Sequence, residues 1–102
     1  MTPPPYPIDW LPLAQKQFNA HIQRIEAADR AAADHIEDEV LEHIELLANH
    51  PELGEVYAKI KNMRRLVIAR TPFIAFYSWR PVLAKVQIRR VVHSSQKPPG
   101  TR

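Results

Sequence analysis

His93 is the residue whose type and place most invite proton chemistry, because it closes a run of β-branched and basic residues from Lys85 to His93. Histidine changes charge near neutral pH, so on a strand it can serve as a general acid or base. Arg89 lies four residues before it, about 13 Å along an extended chain, which is too far for a direct pair. A general acid at His93 would need a cation from another strand, and Arg65 is the best candidate. A structural histidine would instead hydrogen-bond the chain where it turns into the C-terminal tail, and this is the expectation. His21, His35, His43 and His50 fall on or just after helices and are expected in solvent. Of these, only His35 with Glu39, or Glu39 with His43, has the four-residue spacing of a helical metal pair, and no third ligand accompanies either. With no cysteine, thiolate metal sites and disulfides are excluded, and no metal or other cofactor is expected. Only Gly54 and Gly100 are present, which excludes a phosphate-binding glycine loop, and no serine sits on a glycine-flanked nucleophile turn. Phe73, Tyr77 and Trp79 fall on one face of a strand and read as core more readily than as a platform for stacking bases.

These residues need elements to hold them. The proline-rich lead-in through Pro7 lacks the N–H groups that helix and sheet ladders use. Ile8 to Leu11 reads as a short strand, and Pro12 suits a first helical turn. Ala14, Phe18, Ile22 and Ile25 form one stripe of a helix over about 12–28, with Lys16, Asn19, Gln23 and Arg24 facing water. Asp29 offers an N-cap for a second helix, striped by Ala33, Ile36, Val40, Ile44 and Leu47 and stopped at Asn49-His50-Pro51. The two helices should fold back as a hairpin. After Met63 the period changes to that of strands over 65–69, 73–79 and 83–89, which predicts an antiparallel meander. Ala84, Val86 and Ile88 are expected in the core; Lys85, Gln87, Arg89, Val91 and His93 are expected on the other face, with Arg90 marking a bulge or the sheet edge. Ser94 to Arg102 reads as a mobile basic tail. The fold expected is α+β, in the order β-α-α-β-β-β, with a helical hairpin on a small antiparallel sheet. Residues 1–7 form the lead-in, 8–95 the single domain and 96–102 the tail.

At 102 residues, 45% hydrophobic and 25% charged, the chain suits one small globular domain and excludes a two-domain enzyme. No apolar run approaches a membrane span and no signal peptide is evident, so a cytoplasmic protein without membrane contact is expected. The net charge of +3 conceals a division. Residues 1–54 hold three Lys or Arg against ten acids, and residues 55–102 hold eleven against Glu55 alone. Such a split suits an acidic partner chain or nucleic acid.

The order of elements, the phrase Leu46-Leu47-Ala48-Asn49-His50-Pro51-Glu52-Leu53-Gly54, the start Arg65-Leu66, the strand Phe73-Ile74-Ala75-Phe76-Tyr77 and the late Val86-Gln87-Ile88-Arg89-Arg90-Val91-Val92-His93 resemble the RelE/ParE superfamily of bacterial toxins over about residues 8–95. The resemblance implies the toxin of a type II toxin–antitoxin system, neutralised by a cognate antitoxin. In the RelE-like branch it implies a ribosome-dependent endoribonuclease acting on mRNA, with Arg65, Arg89 and His93 as the residues available for catalysis. That branch typically places an arginine where Ile74 stands and a tyrosine where Ser94 follows His93. The ParE-like branch typically has an apolar strand ending in tyrosine and a last strand ending in histidine, which Ile74 to Tyr77 and Val91-Val92-His93-Ser94-Ser95 match better. It implies a growth inhibitor that binds and poisons DNA gyrase with no catalysis of its own. Target contacts are then expected at Arg65, Lys85, Arg89, Arg90, His93 and Lys97, with Gln96 departing from the basic residue typical there. A non-toxic nucleic-acid-binding module is the remaining alternative.

Overall fold

A computed structural model describes residues 4–100. The first three residues of the expected lead-in and the last two of the expected tail lie outside them. The chain runs β1 (Ile8–Trp10), α1 (Pro12–Ala28), α2 (Arg30–Leu46), β2 (Glu55–Val56), β3 (Met63–Val67), β4 (Phe73–Arg80), a single 3-10 turn (Pro81–Leu83) and β5 (Lys85–His93). Both helices occupy the stretches their periodicity predicts. Pro12 opens α1, where its missing N–H leaves no helical bond unmade. The Asp29 carboxylate accepts from the Ala32 N–H at 3.1 Å and so caps α2. The stripes of the hairpin bury Ala14, Phe18 and Ile22 from α1 with Ala33, Val40 and Ile44 from α2.

The sheet has the order β1-β5-β4-β3-β2. It is antiparallel from β2 to β5, the meander predicted for β3 to β5 being extended by β2, and it is mixed rather than wholly antiparallel because β1 joins its far edge parallel to β5, with Ile8 opposite Val86 and Trp10 opposite Ile88. A parallel pair needs a long crossover, and the intervening helices and strands supply it. The two-residue β2 forms within what the sequence alone reads as a connection. Helices cover one sheet face, where Phe73, Ala75, Tyr77, Val86, Ile88 and Val91 complete the main core. On the other face a smaller cluster of Tyr57, Met63, Phe76 and Val92 packs with Ile60 and Ile74. The Tyr57 hydroxyl donates to the Pro99 carbonyl at 2.5 Å, so the C-terminal segment read as a mobile tail lies against this second cluster.

Two expectations about β5 need correction. Ala84 is not a core strand residue: it ends the 3-10 turn in left-handed conformation, φ 50°. Further along, Phe76 pairs with Arg90 and Tyr77 with Ile88, which leaves Arg89 as the extra residue of a β-bulge. One extra residue reverses the facing of everything beyond it. Val91, expected beside Lys85 and Gln87, is therefore fully buried under the helices. His93 sits on that same side, its ring 5.7 Å from Phe73. Arg90, read as the break in the pattern, is indeed at the bulge. Among the described residues no helix is long and apolar enough to cross a membrane.

Candidate functional site

The bulge separates the residues suited to chemistry into two places. At the helix-side corner, His93 stands at the end of β5 and its Nδ1 accepts from the Ser95 N–H at 3.1 Å, with the Ser95 hydroxyl at 2.8 Å. Its own N–H donates to the Gln96 side chain at 2.8 Å. These bonds hold the turn that leaves the strand. Gln96, the departure from the basic pattern, thus has a local use. Across Phe73 lies His21, which the sequence reading places in solvent and the structure buries at 6% exposure. Its Nε2 donates to the Val91 carbonyl at 3.2 Å. Burial holds its pKa below the ordinary histidine value; the bond to Val91 opposes this, and the charges of Arg24 and His93 add to it. The signal for its burial was present: His21 is three residues after Phe18 and four before Ile25, on the apolar stripe itself. His21, Arg24, Phe73, His93 and Ser95 together line a shallow cavity of about 320 Å³.

The second place is the sheet face turned away from the helices. Arg65 from β3 lies opposite Glu55 and Phe76, and its guanidinium is held by the Glu55 carboxylate. Lys85 reaches Asp9 of β1 at 3.8 Å. Arg89 and Arg90 flank Phe76 from β5, and Arg90 donates to the Arg89 carbonyl at 2.8 Å. Arg65, Arg89 and Arg90 are thus gathered around one cross-strand row, while His93 is excluded from it, and the pairing of Arg65 with His93 considered from sequence is not formed. Lys97 is exposed in the segment beyond β5. Two cations absent from the sequence-based set join this face: Lys61 and Arg80 line, with Arg89, Asn62, Ser78 and Gln87, a groove of about 190 Å³. No linear motif links them; only strand pairing does. Among the described residues there is no group of three or more potential metal ligands.

The sequence matches the family model described as ParE toxin of type II toxin-antitoxin system, parDE, over residues 8–98. The chain belongs to the ParE toxin family. Among curated proteins none matches this ParE chain. Among solved structures, it is similar to a chain of the chromosomal ParDE toxin–antitoxin system from P. aeruginosa, at 18% identity and a TM-score of 0.75, over 86% of this chain and 95% of that one. At that identity the likeness speaks for the ParE fold, and the family match covers both the helical hairpin and the basic sheet.

Proposed function

We propose that this ParE chain arrests growth by binding DNA gyrase and holding its cleaved DNA complex, without cutting nucleic acid itself. The observation that supports this best is the separation of His93 from the cations a ribonuclease would need beside it. Arg65 is engaged by Glu55, Arg89 is on the open face, and His93 is on the helix side with Nδ1 committed to Ser95. A general acid and the cations it works with must converge within hydrogen-bond reach of one phosphate. At position 74, where the nuclease branch typically carries arginine, Ile74 packs against the small cluster of Phe76 and Val92. Neutralisation falls to a cognate antitoxin, acting with the toxin in the cytoplasm, whose apolar residues cross the helices while its acids meet the basic half.

The test is direct. Purified toxin added to gyrase and supercoiled plasmid should accumulate linear, gyrase-linked DNA, and primer extension on translating ribosomes should find intact mRNA. Ribosome-dependent cuts in mRNA, with gyrase unaffected, would put the endoribonuclease reading in its place.

A further inference from the structure

We infer that the groove between Lys61, Arg80 and Arg89 on the open sheet face binds the phosphodiester backbone of duplex DNA. The inference rests on the gyrase reading for its setting, since the complex held there contains cleaved duplex, but its chemistry is that of the groove. Arg65 and Lys85 each have a carboxylate beside them, whereas among the described residues Lys61, Arg80 and Arg89 have no acidic partner. Like charges gathered without a counter-ion repel one another, and an anion relieves that repulsion. Ser78 forms the floor, opposite Gln87 on β5, and the side-chain amides of Asn62 and Gln87 add neutral donors of the kind that bind phosphate oxygens. Asp9, the carboxylate that faces Gln87 from β1, is taken up by Lys85.

The dimensions and the missing ring choose the ligand. At about 190 Å³ the groove is smaller than the ~300 Å³ or more of a pocket that engulfs an organic ligand, and it suits a phosphate on a longer chain. The aromatic rings of the small cluster on this face, Phe76 and Tyr57, are both buried and packed edge-on at 5.0 Å, so they offer little surface to an unstacked base. Contact through backbone phosphates, with no base to be stacked, suits a duplex whose bases stay paired.

The experiment measures anisotropy of a labelled duplex of roughly 20 base pairs with the full chain made by cell-free synthesis. Three neutralised phosphates imply a slope of log affinity against log salt near −2.7, or about 40-fold weaker binding between roughly 50 and 200 mM salt. Arg80→Gln and Arg89→Gln, with circular dichroism unchanged, should each weaken binding and flatten that slope by about 0.9. Affinity and slope indifferent to both substitutions would refute the groove, as would substitutions that weaken binding of a polyglutamate peptide and leave duplex binding intact. Gyrase trapping measured on the same samples separates the two readings. Groove-dependent duplex binding without trapping would retain the groove and remove gyrase; trapping with substitution-insensitive duplex binding would remove the groove alone.

Discussion

His21 and His93 flank the Phe73 ring, with centroids at 4.8 and 5.7 Å, yet their surroundings assign them opposite behaviour. His21 is buried and kept neutral. Its folded pKa lies below the unfolded value near 6.5, so the unfolded chain takes up a proton first as pH falls. Its contribution to stability is therefore complete above about pH 6.5 and lost as pH drops through the lowered value. Melting temperatures recorded from pH 8 down to 5 should decline in that window for the native chain and less steeply for His21→Gln. This window lies above the lowered titration of Glu39, whose carboxyl is held down by the Arg70 guanidinium. Parallel curves would show that His21 is not the group responsible. His93, by contrast, anchors exposed chain, so His93→Ala should cost at most about 1 kcal/mol of stability and leave growth arrest in place. Deletion of residues 94–102 should do at least as much to stability, since it also removes the Pro99 contact with Tyr57. A fully stable His93→Ala protein that no longer arrests growth, beside a toxic tail deletion, would restore an enzymatic histidine.

Between elements, one phenol joins the end of the helical hairpin to the sheet. The Tyr77 hydroxyl on β4 accepts from the Gly54 N–H and donates to the Pro51 carbonyl, both at 2.8 Å, pinning the loop that follows α2. Burial pushes its pKa up, so it stays a neutral donor. Gly54 is required by the closeness of this contact: a Cβ there would meet the Tyr77 ring at 2.7 Å and the Arg65 carbonyl at 2.8 Å. Tyr77→Phe should leave both backbone groups without their partner and cost about 1–3 kcal/mol. At about 4–8 °C per kcal/mol for a domain near this size, calorimetry would register the loss, and an unchanged melting temperature would mean the loop is held by other contacts.

For the molecule as a whole, the charge division survives folding. Arg70 with Glu39, bidentate at 3.1 and 2.9 Å, and Lys85 with Asp9 join cations of the second half to acids of the first. The remaining acids of α2 lie on the outer side of the hairpin and the cations of β5 on the far side of the sheet, so the two fields do not cancel. An acidic antitoxin should associate rapidly through this field. Raising salt from low to physiological concentration should slow its on-rate several-fold and change its off-rate little, as stopped-flow mixing would measure. An on-rate indifferent to salt would show that the division plays no part in the encounter.

The sequence by itself determined the helices, most of the strands and the split of charge, because each depends on neighbours a few residues apart. Pro12, Asp29 and the apolar stripes act within one or two turns, and runs rich in aromatic and β-branched residues such as Phe73 to Tyr77 declare extended chain locally. Only the tertiary structure decided which side of the sheet each residue meets. Arg90 marked an irregularity, but the period-two reading carried Val91 and His93 past it without the reversal, since which residue a bulge inserts is a property of two paired strands. The parallel seat of β1 beside β5 and the meeting of Lys61, Arg80 and Arg89 were hidden for the same reason. They join residues far apart in the chain, and their placement is set by which surfaces must be buried together.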